Sequence, residues 1–263
     1  MNKNELSGMT ALVTGASGGL GVDFARELAA RGANLVLVAR RLELLEQRRA
    51  ELVTEYGVEV RCITADLAVP EAREALAREL EESGIAVDIL INNAGLGLFG
   101  DFKDVDWERT DNMLQVDIVA LSHLTRLFVG GMVERGRGYI MLLGSTGSFQ
   151  PSPGYAAYGA AKAYVLSFGH ALHFELRGTG VSCTTVCPGV TATDFLQVSG
   201  QSKTWYHRMT MMQSTTVARM AVRRMLSRRP QIVTGIMNAL SVFPMRILPR
   251  SLQARLAYFV MKN

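Results

Sequence analysis

The amino-acid sequence predicts an α/β fold: one doubly wound domain whose seven-stranded, mainly parallel sheet carries helices on both faces. Three observations lead there. Seven apolar runs of strand length recur along the chain with helix-like stretches between them, the alternation that a parallel sheet needs for its crossovers. Most of the runs are continuously rather than alternately apolar, as in strands buried on both sides. No Pro/Ser-rich linker, repeat or low-complexity tract divides the 263 residues, so one domain is expected over 1–263.

The first run, MTALVT (9–14), leads into the glycine-rich TGASGGLG (14–21) and the amphipathic LGVDFARELAARG (20–32). NLVLVA (34–39) and VEVRCI (58–63) supply the second and third strands, and AREALARELEESG (72–84) a second amphipathic helix. Both helical stretches close on glycine, which accepts the left-handed conformation at a helix end. The remaining strands are VDILIN (87–92), YIMLLG (139–144), VSCTTVC (181–187) and QIVTG (231–235).

Gly15, Gly19 and Gly21 follow the first strand directly and open the helix that begins near Leu20. Without side chains there, backbone can approach a pyrophosphate, and the helix N-terminus offers N–H groups and a positive dipole end. A tight strand-to-helix turn would use the same glycines. The second strand ends VLVARR, with no acidic residue to bind ribose hydroxyls. Arg40, with Arg41 beside it, would attract a 2′-phosphate instead, and Ser17 could add a hydroxyl contact. The expected cofactor is therefore NADP(H), with a solvated helix start as the other reading of Arg41.

Tyr158 and Lys162 lie four apart in YGAAK, with Ser145 thirteen residues upstream of the tyrosine. On a helix, phenol and ammonium would share one face. A cation held there favours phenolate and predicts a lowered tyrosine pKa, making a usable proton donor and acceptor.

Three cysteines, Cys62, Cys183 and Cys187, show neither C-x-x-C nor zinc spacing; no disulfide or metal is expected, and a reducing cytoplasm is. The opening MNKNELSGMT lacks a signal peptide's apolar core. His170 and His173 sit three apart and read as helix or subunit contacts rather than metal ligands. Charge is uneven. Residues 1–194 hold seventeen Lys/Arg against twenty-four Asp/Glu, whereas the chain from Phe195 onward has eleven Lys/Arg and no acid. The basic quarter fits an anionic partner (a membrane surface, a phosphate-bearing acyl carrier) or another subunit, and nucleic acid is not expected.

These residues together resemble the classical short-chain dehydrogenases/reductases over residues 7 to 235, through TGASGGLG, Asp66-Leu67, NNAG (92–95), Ser145, YGAAK and PGVTAT (188–193), all in order. The resemblance implies a Rossmann-like domain that is a homodimer or homotetramer. It implies that Asp66, with Leu67, binds near the adenine. Asn92 would hold the fourth strand, with Asn93, Ala94 and Gly95 along the ribose. Pro188, Gly189, Val190 and Thr193 would fix the nicotinamide. Tyr158 would give its proton to a substrate carbonyl oxygen that Ser145 also binds, and Lys162 would lower the tyrosine pKa and hold the ribose. One departure stands out. The family's helix asparagine, whose main-chain carbonyl serves a proton relay, is here Asp117. A carboxylate near Lys162 would offset its charge and raise the tyrosine pKa.

The expected activity is NADPH-dependent reduction of an apolar ketone, 3-oxoacyl thioester or hydroxysteroid-like substrate. Residues 195–220, with Phe195, Trp205, Tyr206 and a cluster of Met209, Met211, Met212 and Met220, would cover that substrate, although core packing accounts for the methionines equally well. A non-catalytic cofactor-binding sensor and a membrane-peripheral lipid-modifying reductase are the rival readings. The 236–263 extension mixes apolar and basic positions, and reads either as a segment lying in a membrane interface or as a helix capping substrate or a neighbouring subunit.

Overall fold

A computed structural model describes residues 4–193, 195–202 and 204–261. Asp194, Lys203 and Lys262 of the charge pattern lie outside the described residues, as do the side chains of Trp205 and Tyr206.

Seven strands form one wholly parallel sheet: β1 (Thr10–Thr14), β2 (Asn34–Ala39), β3 (Val60–Thr64), β4 (Ile89–Asn92), β5 (Gly138–Leu143), β6 (Val181–Cys187) and β9 (Gln231–Val233), in the order β3-β2-β1-β4-β5-β6-β9. The expected runs hold: β2 and β6 match end to end, β1, β4 and β9 are one or two residues shorter, and β3 and β5 are shifted by one or two residues. A short pair absent from the sequence reading, β7 (Thr191–Ala192) with β8 (Met212–Gln213), forms a separate two-stranded ribbon.

The helices are α1 (Gly19–Ala29), α2 (Leu42–Tyr56), α3 (Pro70–Glu82), α4 (Trp107–Leu114), α5 (Leu121–Glu134), α6 (Ala156–Glu175), α7 (Phe195–Ser199), α8 (Trp205–Thr210), α9 (Ser214–Leu226), α10 (Ile236–Val242) and α11 (Arg250–Met261). A π-helical turn, Gln115–Ala120, joins α4 to α5. By length and composition the stretch Trp107–Glu134 could cross a membrane, but its Leu121, Leu124 and Met132 are buried in the core.

Two apolar layers sandwich the sheet, one carrying Phe24 and Leu28 of α1 with Val222 and Met225 of α9, the other Leu76 of α3, Leu124 of α5 and Val165 of α6. Helix α3 ends as its sequence predicts: Gly84 (φ 66°) follows the cap, and its N–H and that of Ile85 reach back to the carbonyls of Glu81 and Leu80. Helix α1 caps at Ala30, with Gly32 two residues beyond.

Strand order reverses between β1 and β4, and at such a switch point the loops beyond the strand ends part to leave a crevice. Thr14, at the end of β1, ties the two sides together. Its hydroxyl donates to the Ile91 carbonyl (3.2 Å) and accepts from the N–H groups of Asn93 (3.0 Å) and Ala94 (2.9 Å).

Candidate active site

A cavity of roughly 530 Å³ opens at this crevice, running from the glycine loop past Ser145 and Tyr158 to α10 and α11. Its volume suits a cofactor head with part of a substrate.

The loop end is a backbone-lined cradle that leaves room for an anion. Gly15 takes φ 68°, and a Cβ there would stand 2.9 Å from Asn93 Nδ2, which donates to the Thr14 carbonyl at 2.8 Å. A Cβ at Gly21 would collide with the Gly15 carbonyl oxygen. The N-cap of α1, Gly18, has no side chain to occupy the first-turn N–H groups, and that turn holds no acid. An anion therefore meets unshielded donors.

Ser17, Gly19, Leu20, Asn93, Ala94 and Gly95 line the cavity, and Pro188, Gly189, Val190 and Thr193 line it across from them. The two arginines separate. Arg41 borders the cavity and donates to Ser17 Oγ at 3.4 Å, whereas Arg40 is exposed and outside the wall. Asp66 and Leu67 also fall outside the wall. Asp66 accepts from the Ala68 N–H (3.1 Å), and the buried Leu67 offers its carbonyl to Arg73 (2.9 Å). Asn92 points into the core, donating to Thr125 Oγ1 at 3.0 Å.

Ser145 follows β5 and caps the short turn Thr146–Phe149, its hydroxyl accepting the Gly147 N–H at 3.1 Å. It also lies near enough to the Tyr158 phenol to favour the phenolate. Helix α6 presents Tyr158 and Lys162 on one face, with the ammonium 5.5 Å from the phenol ring centre. Lys162 donates to the Leu143 carbonyl (3.1 Å) and pairs with Asp117 at 2.9 Å. The other oxygen of Asp117 accepts the Leu96 N–H at 2.8 Å. Asp117 is 0% and Lys162 4% exposed, so the ion pair is fully internal.

Asp117 stands on the π-helical turn, whose additional residue per turn aims its side chain at α6 rather than along a regular helix face. The carboxylate thus engages Lys162 directly, where the family pattern implied a main-chain carbonyl and a relay.

Burial pushes the Tyr158 phenol above its ordinary value. Lys162 and the Ser145 hydroxyl pull it down, and Asp117 works against them. The lowered pKa expected from the Tyr-x-x-x-Lys spacing is therefore overturned in sign, because desolvation outweighs a cation already paired with a carboxylate. Against the cost of burying an ammonium, Asp117 and Tyr158 hold Lys162 above its usual value. Burial likewise raises the Asp117 carboxyl, opposed by Lys162 and the Leu96 N–H.

The far end of the cavity is apolar. Phe195 packs 5.6 Å from the Tyr158 ring and against Gly97, and Leu196, Val198, Val242, Met245 and Leu256 continue the wall. Met209, Met211, Met212 and Met220 do not line it: Met209 is exposed on α8, Met211 caps that helix, Met212 stands on β8 and Met220 on α9. Tyr155, Ser199 and Gln201 escaped the sequence reading. They form a buried polar patch of which Tyr155 and Gln201 border the cavity, with the Tyr155 hydroxyl 3.0 Å from Ser199 Oγ and donating to Gln201 Oε1 at 2.8 Å. Only tertiary contact between α6 and the loop after α7 brings them together.

His173 Nδ1 lies 2.7 Å from the Cys183 carbonyl and His170 Nε2 2.8 Å from Gln231 Oε1, both structural contacts. Among the described residues no group of three His, Cys, Asp or Glu could hold a metal.

The family model for short chain dehydrogenase matches residues 9–204. The very-long-chain 3-oxoacyl-CoA reductase of Anas platyrhynchos is 35% identical over 201 residues, which is 74% of this chain and 64% of the duck protein; the chain thus spans under two thirds of that relative's length. A short-chain dehydrogenase from Sphingobium yanoikuyae, solved in complex with NADPH, superposes with TM-score 0.80 at 29% identity, covering 92% of this chain and 97% of its own. A short chain dehydrogenase/reductase from Burkholderia phymatum, in complex with NAD, superposes with TM-score 0.82 at 25% identity, covering 91% and 93%. With its parallel sheet reversing at a glycine-lined crevice and the family model spanning most of its length, the chain belongs to the short-chain dehydrogenase/reductase family of oxidoreductases.

Proposed function

We propose that this protein is an NADP(H)-dependent carbonyl reductase acting on an apolar ketone or 3-oxoacyl thioester. The observation that carries the reading is the convergence of Ser145, Tyr158 and Lys162 in one cavity with the glycine cradle at its other end. The cradle fits a pyrophosphate, since any side chain at Gly15 or Gly21 would fill or distort it. A nicotinamide cofactor, when bound, supplies or accepts the hydride.

The chain's own residues do the rest. Gly15 to Leu20 and the α1 N-terminus bind phosphate, and Thr193 with the backbone at Val190 orients the ring. Lys162, held by Asp117 and the Leu143 carbonyl, faces the ribose side. Ser145 donates to the substrate oxygen, and Tyr158 delivers its proton there. A phenol held above its usual pKa stays protonated through neutral pH, as a proton donor for reduction must. Phe195, Leu196 and Val198 shield the reacting carbon from water.

NADP(H) over NAD(H) is supported by Arg41 beside Ser17 and by the lack of an acid at the end of β2. The homo-oligomeric reading is supported by the apolar side chains left exposed on the π turn, α5 and α6, among them Val119, Tyr164 and Phe174.

The test is NADPH consumption against a panel of apolar ketones and 3-oxoacyl thioesters, with NADH run in parallel. Arg41→Asp should lower kcat/KM with NADPH by about tenfold or more, one charge-assisted contact being lost and a repulsion gained, while Arg40→Asp changes it little. Turnover equal with both cofactors in the parent and in Arg41→Asp would remove Arg41 from the site. NADPH binding without turnover across the panel would favour the sensor reading.

A further inference from the structure

We propose that α10, the turn after it and α11 form a docking face for an anionic lipid bilayer, through which an apolar substrate enters the cavity; the entry route rests on the reductase reading, the docking does not. Helix α10 turns Asn238 and Val242 inward, 1% and 4% exposed. Its outer side does the opposite. Ile236 is 80% exposed, Met237 54%, Leu240 61%, Phe243 63% and Ile247 78%, at positions that follow helical spacing. Large apolar side chains scattered singly over a surface need no partner, but a contiguous stripe does. Helix α11 adds Leu252, Leu256 and Phe259, again one turn apart and each at least 40% exposed.

Charge selects the occupant. No Asp or Glu occurs after residue 194, so neither helix carries a carboxylate, while Arg250 and Arg255 are exposed on α11. A second copy of this chain meeting the same face about a twofold axis would set arginine against arginine with no acid on either helix. An anionic headgroup layer supplies the missing counter-charge and takes up the apolar stripe at once. Seven and twelve residues long, the helices can lie in an interface but not span a bilayer.

The same elements form the apolar end of the cavity. Val242, Met245 and Ala257 line it, and Leu256 both lines it and is 40% exposed. Gln253 pins α11 to the turn, donating to the carbonyls of Met245 (2.8 Å) and Leu248 (2.6 Å). The stripe and the cavity mouth are therefore built on one braced unit, and a chain leaving the bilayer at Leu256 meets the apolar wall directly.

The full-length protein is to be floated with vesicles of phosphatidylcholine alone and of phosphatidylcholine with phosphatidylglycerol. Binding is expected to the anionic vesicles and to weaken with added salt. The double variant Phe243→Asp/Ile247→Asp, outside the cavity wall, should lower the bound fraction by about tenfold or more, with NADPH binding unchanged. Arg255→Glu should weaken the same binding without touching the apolar stripe, and keeps the test open if the double variant fails to fold. An unmodified protein that ignores anionic vesicles, or variants that bind as it does, would overturn the proposal. So would a double variant that changes only the oligomeric mass, which would assign the face to a second copy. Vesicle binding is read without turnover, so an inactive reductase that still floats refutes the reductase reading alone.

Discussion

Replacing Tyr158 with phenylalanine is expected to cut carbonyl reduction by about 10²–10⁴-fold, the usual worth of a positioned proton donor, while leaving cofactor binding near its original strength. The exchange is a clean one. The ring keeps its packing against Tyr155 (5.5 Å between ring centres) and Phe195 (5.6 Å), so the fold has little reason to relax. What disappears is the hydroxyl from which a substrate oxygen would receive its proton. Steady-state kinetics with a reducible ketone, beside NADPH titration by fluorescence, separate the two quantities. A variant that still turns over at the parent rate would take Tyr158 out of the chemistry.

The second large effect belongs to Asp117. Truncation to alanine leaves the Lys162 ammonium, 4% exposed, facing a void where its carboxylate stood. Removing one partner of a buried ion pair costs about 3–5 kcal/mol, so Asp117→Ala should show a large drop in the urea midpoint. Asp117→Asn is gentler, because its carbonyl can still accept the Leu96 N–H. It removes a negative charge that raises the Tyr158 phenol, so the phenol in the variant titrates lower. Reduction requires the protonated phenol, so its rate falls as pH rises through the Tyr158 pKa. That alkaline limb should therefore move to lower pH in Asp117→Asn. Rate profiles with one ketone at saturating NADPH would show it, and an unmoved limb would confine Asp117 to holding the fold.

How much of this was legible in the sequence varies with how local the cause is. Strands β2 and β6 coincide end to end with their apolar runs, because burial on both faces imprints every residue. The cradle was legible for a similar reason: positive φ at Gly15 and close approach at Gly21 are demands that only glycine meets. Spacing also placed Tyr158 and Lys162 on one helix face. It could not give the sign of the tyrosine shift, which depends on how deeply the phenol is desolvated and on a carboxylate forty-five positions before Lys162. The π turn that aims Asp117 has no composition of its own. Arg40 and Arg41 are neighbours of identical chemistry, and only the path of the backbone into α2 decides which one faces Ser17. The tail showed its apolar and basic mixture openly, but that one side of α10 lines a cavity while the other stays bare is a tertiary fact.

The reversal of strand order at β1 also governs when the site can exist during synthesis. Thr14 finds its partners Ile91, Asn93 and Ala94 only after nearly eighty further residues have been made, and β6 waits for β9 until residue 231. At roughly 5–20 residues per second, a nascent chain holds the apolar edge of β1 unpaired for seconds. Parallel pairings across such separations are slow to close, so an emerging copy has a window in which that edge can find another chain's strand instead. The arrangement that makes the crevice thus also leaves that edge of β1 open to mispairing until β4 has been made.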